Sequence, residues 1–190
     1  MAERLVQTRG FNGFSYADVA AELDVTKASL HYHFAGKAAL GTALIDRYSE
    51  RFAEALRAID AEEADPPARL EAYARIYAEA VRDQWMCLCG MLAADYETLP
   101  QPMRDAVVRF FDDNERWLVG VLEQGEREGS LRLDGSPAET AQVLVGGLEG
   151  AMLVARPYGD ARRFEAAAAR LLASLVAAPD GAAPNSAGHC

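Results

Sequence analysis

The sequence predicts an all-α protein of about nine helices. Three observations carry this: long stretches run without glycine or proline, alanine is abundant while β-branched and aromatic residues are modest, and helix-start signals recur along the chain. The elements follow in order. A short helix ends before Gly10, and Ser15-Tyr-Ala-Asp18 then opens a helix over 15–23. In this Ser-x-x-acid pattern the hydroxyl caps one free N–H and the carboxylate reaches back to another. Thr26 is a good N-cap for a helix over 26–33, and a longer one is expected over 37–60. Asp65 before Pro66 and Pro67 opens 66–84, a short helix covers 88–97, and Pro100 with Pro102 opens a long one over 101–128, stopped by Gly129. Ser136-Pro-Ala-Glu139 repeats the capping pattern with proline at the first helical position, for a helix over 136–155. Asp160 follows a glycine and starts the last, over 160–177. No strand is expected.

The chain has 190 residues, half of them apolar, which is enough for one sizeable core and a small second one. The longest weakly polar run, Val143 to Ala155, is shorter than the roughly 20 residues a membrane span needs and contains Glu149. No membrane partner is expected. The start has no apolar stretch followed by a small-residue cleavage site, so a cytoplasmic protein is expected. Cys87, Cys89 and Cys190 form neither an even disulfide set nor a zinc-ribbon spacing, and should be free thiols in a reducing compartment. The net charge of −10 argues against nonspecific coating of nucleic acid. It is unevenly spread: residues 1–50 hold five basic and six acidic side chains, leaving 14 basic and 23 acidic for the rest.

Within that acidic chain, Val25 to Ile45 contains no acid and carries two lysines, two of the three histidines and a tyrosine. Val19, Ala20 and Leu23 form one helix face; after a break at Asp24, Val25, Leu30 and Phe34 continue as a second short helix packed against it. Two short helices around a tight corner describe a helix-turn-helix. Lys27, Ala28, Ser29, His31, Tyr32 and His33 do not all fit in so small a core and suit DNA. Ala28 and Ser29 let the helix sink into a major groove, Lys27 reaches guanine acceptors, and Tyr32 or the imidazoles meet phosphates or thymine methyls. Lys37, at the start of the next helix, adds its charge to exposed N–H groups as a local phosphate site.

Gly10-Phe11, "SYADVAAELDVTKASLHYHF" from Ser15 and "GKAAL" from Gly36 resemble the DNA-binding domain of the TetR family of repressors. The family's usual pattern is Gly-aromatic, Thr/Ser, Ile/Val-Ala, Gly-Val-Ser/Thr, Leu-Tyr-x-His/Tyr-Phe, and Lys before Glu-x-Leu; the match keeps its spacing up to Leu44. His31 stands where tyrosine is commonest, Asp24 replaces the corner glycine, Ala38 replaces the usual glutamate, and the first helix is shorter than the family's. Asp tolerates left-handed geometry, so the corner should survive. The resemblance implies DNA-binding residues Ser15, Thr26, Lys27, Ala28, Ser29, His31, Tyr32, His33 and Lys37 in a domain over 1–46. It further implies a helical ligand-binding and dimerisation domain over 47–178, followed by a tail over 179–190 expected to be disordered.

In the body, Tyr73, Tyr77, Trp85, Met86, Met91, Phe110, Asn114 and Trp117 mix large apolar faces with a few polar tips, as small-molecule pockets do, and the resemblance implies a cavity among them. The Cys-x-Cys pair Cys87 and Cys89 lacks a nearby third ligand for a tetrahedral metal, so no metal or other cofactor is expected. Two buried inert thiols, or a thiol sensor like that of some family members, are both open. Gly146, Gly147, Gly150, Ala151 and Ala155, facing Ala166 to Ala169 and Ala173, allow close helix approach, and the resemblance implies a homodimer through the last two helices. The expected function is a ligand-responsive repressor that grips a near-palindromic double-stranded operator as a dimer and is released by a small-molecule effector, an electrophile being one candidate. The alternative is a helical small-molecule-binding protein with a degenerate head. An enzyme is not expected, because no Ser-His-acid or metal spacing appears.

Overall fold

In a computed structural model that describes residues 1–177, nine α-helices follow one another: α1 (Ala2–Arg9), α2 (Tyr16–Leu23), α3 (Lys27–His33), α4 (Lys37–Glu62), α5 (Pro66–Arg82), α6 (Leu88–Ala94), α7 (Gln101–Glu128), α8 (Pro137–Ala155) and α9 (Ala161–Ala173). The tail expected from 179 lies outside the described residues. Both Ser-x-x-acid signals form complete capping boxes, Ser15 with Asp18 and Ser136 with Glu139. Asp65 and Asp160 cap α5 and α9, and the Cys87 thiol caps α6 by accepting the Gly90 N–H at 3.5 Å.

Three helices end before the sequence pattern does, each for a local reason. α9 stops at Ala173 rather than 177, because the chain after it turns to pair with the α7–α8 connection. Arg132 N–H donates to Leu175 O (2.8 Å) and Ala177 N–H to Ser130 O (3.1 Å), making the isolated Leu131–Val176 bridge. α6 stops at Ala94 as Asp95 turns away to accept the Phe11 N–H at 2.8 Å. α5 stops at Arg82 because Gln84 takes φ +61, closing the helix with Trp85 N–H to Ala80 O (2.8 Å) and Gln84 N–H to Val81 O (3.0 Å). That pair of bonds is a Schellman cap, which glycine usually provides and which here turns Trp85 and Met86 back under α5.

Helices α4, α5, α7, α8 and α9 form the body, whose core includes Tyr73, Leu118, Leu122, Leu144, Leu148 and Phe164. A small head of α1–α3 and the start of α4 rests beneath it, packed through Leu5, Val6, Phe11, Phe14, Val19, Leu30 and Leu40. Polar ties bind the two: Gln7 Nε2 donates to Met86 O (3.0 Å), Asn12 Nδ2 to Thr98 Oγ1 (2.8 Å) and Arg156 Nη2 to Thr8 O (2.5 Å), beside the Asp95–Phe11 bond. Gly41 sits where α4, α7 and Phe11 converge; a Cβ there would lie 2.5 Å from Met103 Cε and 2.9 Å from Phe11 Cε2.

Replacing Gly41 with valine should therefore destabilise the protein by about 1–3 kcal/mol, the usual cost of overfilling a packed junction. Urea unfolding measures this, and the loss should exceed that of Gly36→Ala, where a Cβ meets nothing within 4 Å.

Candidate nucleic-acid interface and ligand sites

The helix-turn-helix is made by α2 and α3 around a corner at Asp24, which takes the left-handed conformation (φ 53, ψ 44) where a glycine is usual. Asp24 N–H to Ala21 O and Val25 N–H to Ala20 O close α2. Thr26 Oγ1 accepts the Ser29 N–H at 3.1 Å and starts α3. Of α3 only Leu30 is buried, against Val19 and the rest of the head core; Lys27, Ala28, Ser29, His31, Tyr32 and His33 are all exposed, Tyr32 by 87%. These residues thus share one open surface with no acid among them. His31 lies edge-on to the Tyr16 ring (centroids 4.8 Å apart), and Tyr16 Oη donates to Phe34 O at 3.2 Å, tying the start of α2 to the end of α3. Sequence reasoning passed over Tyr16, though a large aromatic at the first position of a capped helix is a signal for such a tie.

Two expected contact residues sit differently. Ser15 Oγ is engaged with Asp18, donating to Oδ2 at 2.7 Å. Lys37 points inward: its ammonium donates to Phe11 O and to Phe14 O (2.5 Å) and lies over both phenyl rings, 4.5 and 4.3 Å from their centroids. Burial lowers its pKa, opposed by Asp95 and Asp18. The expected phosphate site at Lys37 is therefore corrected: the charge satisfies carbonyls of the Phe11–Phe14 turn.

The expected pocket is also divided. Tyr73, Tyr77, Phe110 and Asn114 form a closed aromatic knot, with Tyr73 Oη 3.1 Å from Tyr77 Oη and donating to Asn114 Oδ1 (3.3 Å), and Asn114 Nδ2 donating to Phe110 O (2.7 Å). Trp117 stacks on Tyr73 (5.6 Å, 23°) and donates Nε1–H to Asp60 Oδ2 at 3.0 Å. These polar tips answer one another, so none is offered to a ligand. Trp85 and Met86 instead line a cavity of about 450 Å³ at the foot of the body, between the α5–α6 connection and the end of α8. Met91 packs at the seam with the head, its Sδ 3.3 Å from Arg156 Nη1.

Cys87 and Cys89 are buried at the start of α6, and Tyr48 Oη donates to Cys87 Sγ at 3.5 Å. Beside them the Glu149 carboxyl lies over Gly90, so close that a Cβ there would be 2.2 Å from Oε2, and its Oε1 has no hydrogen-bond partner among the described residues. Burial, reinforced by Glu149, pushes both thiols well above their ordinary range, so the resting structure presents neither as an accessible thiolate. Burial pushes Glu149 itself up to about 7, against a hydrogen bond from Cys87. A lone acid in the apolar run Val143–Ala155 was the available sequence signal for this residue.

The sign of the pH effect follows. The unfolded carboxyl ionises near 4.5 and the folded one near 7, so the folded state holds the extra proton between these values and stability falls as pH rises through that window. Glu149→Gln should flatten the decline and raise stability above pH 7 by about 2–3 kcal/mol. Urea unfolding of both proteins at pH 5 and pH 8 measures it; parallel declines would show that Glu149 is not the source.

With this geometry in hand, comparisons agree on a family. Residues 1–44 match the family model for bacterial regulatory proteins of the tetR family, and residues 66–171 match that for the tetracyclin repressor-like C-terminal domain. A TetR-family transcriptional regulator from Agrobacterium tumefaciens superposes with a TM-score of 0.90 at 31% identity, over 93% of this chain and 94% of that one. The HTH-type transcriptional repressor NemR of Escherichia coli K12 is 28% identical over 93% of this chain and 90% of its own; a crystal structure of its reduced form superposes at 0.78. The HTH-type transcriptional repressor DhaR of Mycobacterium sp. strain GP1 is 26% identical over 76% of this chain and 73% of its own. The chain belongs to the TetR family of transcriptional regulators.

Proposed function

We propose that the protein is a ligand-responsive transcriptional repressor, working in the cytoplasm, in which residues 1–46 bind DNA and 47–178 bind an effector and form a homodimer. One observation carries the DNA reading: α3 buries only Leu30 and leaves Lys27, Ala28, Ser29 and Tyr32 on an open, acid-free face. Ala28 and Ser29 allow close approach to base edges, Lys27 supplies charge, and Thr26, Tyr32 and the imidazoles of His31 and His33 reach the flanking backbone. The dimer reading rests on α8, where Val143, Leu153 and Val154 are exposed in line with Gly146 and Gly150, beside which nothing lies within 4 Å. Such a stripe of small and apolar side chains suits a second copy of α8 and α9. Two heads then meet successive major grooves about 34–36 Å apart, and each needs only modest affinity.

A mobility-shift assay against the intergenic DNA beside its own gene tests this. Lys27→Ala with Tyr32→Ala should abolish the shift while sedimentation still reports a dimer; retained binding would tell against α3 as the reading helix. An electrophilic inducer would first have to expose α6. Operator release by a thiol alkylator, lost in Cys87→Ser or Cys89→Ser, would support that route, and release unchanged in both would remove it.

A further inference from the structure

The cavity at the foot of the body has an uneven charge inventory. Its charged lining residues are Arg82, Arg156 and Asp160. Arg82 is paired with Glu165 (2.6 Å), and Asp160 with Arg162 (3.0 Å) while also capping α9. Arg156 has no carboxylate partner among the described residues; its two terminal nitrogens rest on a thioether, Met91 Sδ, and on a carbonyl, Thr8 O. Behind it the wall is apolar, with Met86, Met152 and Ala155 all buried, and Trp85 and Tyr158 supply aromatic surface. Gln84, at the rim, holds a left-handed backbone conformation that favours glycine, and this directs Trp85 and Met86 to the wall.

Arg156 also has a second role. Thr8 lies in the last turn of α1, whose final carbonyls lack helical partners, so the guanidinium acts as a cationic cap across the seam between body and head. A ligand anion offers that guanidinium a stronger, bidentate partner than a single neutral carbonyl.

We infer that this cavity binds a small organic carboxylate with an apolar or aromatic body, the carboxylate held by Arg156 and the body lying against Trp85 and Met152, and that occupancy draws Arg156 off the end of α1. The binding stands on the cavity alone, while its consequence at an operator rests on the proposed repressor function. Seating the anion trades the cap on Thr8 for a salt bridge. The carboxyl end of α1 then loosens, and α1 runs directly into the Phe11–Phe14 turn that precedes α2 and is held by Lys37 of α4.

The test uses the full-length protein with Trp117→Phe, leaving Trp85 as its one tryptophan, titrated with benzoate, hexanoate, neutral benzamide and cationic benzylamine. Benzoate or hexanoate should quench Trp85 saturably and bind at least tenfold more tightly than benzamide or benzylamine. Arg156→Gln should erase that preference, whereas Arg170→Gln, exposed in the last turn of α9 and outside the lining, should keep it. Amide exchange over Val6–Gly10 should accelerate on benzoate binding, and in Arg156→Gln should be fast without ligand. Equal binding of benzamide, no binding of either carboxylate, or a preference that survives Arg156→Gln would overturn the site. A bound carboxylate with unchanged α1 exchange would overturn the coupling. None of these readouts needs DNA, so a failure of operator binding in the mobility shift would count against the repressor function and leave the carboxylate site standing.

Discussion

The seating of α1 on α6 is the constraint on which the rest of the structure depends. The head's own core is a handful of side chains around Val6, Phe11, Val19 and Leu30, and a unit of that size buries too little apolar surface to be stable alone. It holds its shape by leaning on the body. The Gln7–Met86, Asp95–Phe11 and Arg156–Thr8 bonds are directional ties to a backbone carbonyl or N–H, so they fix the angle at which α1 leaves the body as well as its position. Lys37 extends the same logic inside the head: two carbonyls of the Phe11–Phe14 turn, which follows α1, are held by one ammonium on α4. The orientation of α3 is thus inherited, through short rigid pieces, from the foot of the body. A free-energy change of a few kcal/mol at those ties is enough to move a two-state equilibrium substantially.

The electrostatics follow the same division. An acidic protein can bind a polyanion when repulsion is kept away from the contact, and here the acid-free run Val25–Ile45 falls on the head while most of the negative charge lies in the body. On the proposed repressor function nonspecific attraction is weak and affinity comes from two half-sites read together, which would make dimer geometry rather than charge the controlling variable.

Much of this was legible in the sequence because it is encoded locally. Capping boxes at Ser15 and Ser136, prolines at the starts of α5, α7 and α8, and the left-handed tolerance of Asp24 each act within a few residues, and the helices appear where those signals put them. What the sequence hid is set by partners far along the chain. The last helix ends early because Ser130 and Arg132 compete for its backbone. Lys37 turns inward because two carbonyls more than 20 residues earlier lack donors. Tyr73 and Asn114 read as pocket residues from their type alone; that their polar tips satisfy each other across 41 residues is invisible without coordinates.

The helix that joins these features is α8. Its outward stripe, Val143, Gly146, Gly150 and Val154, is open, while Glu149, Met152 and Arg156, spaced three and four apart, line another face. Along that face, Glu149 covers Gly90, Met152 Sδ accepts the Cys87 N–H at 3.1 Å and Arg156 reaches Met91 and Thr8. One helix and the residue that follows it therefore touch α6 at Cys87, Gly90 and Met91 and reach the head at Thr8. Glu149 sits directly against the α6 backbone with a buried carboxyl oxygen, so an ionised carboxylate there would favour separation of α8 from α6, and a neutral one favours the packed arrangement. Since Arg156 directly follows α8, two turns beyond Glu149 and with its N–H bonded back to Met152 O, any shift of α8 that relieves Glu149 also displaces the cap on α1. A ligand in the neighbouring cavity and a second subunit on the open face would both act on that one rod, which is how a site under the body and an interface beside it can bias the same pair of reading heads.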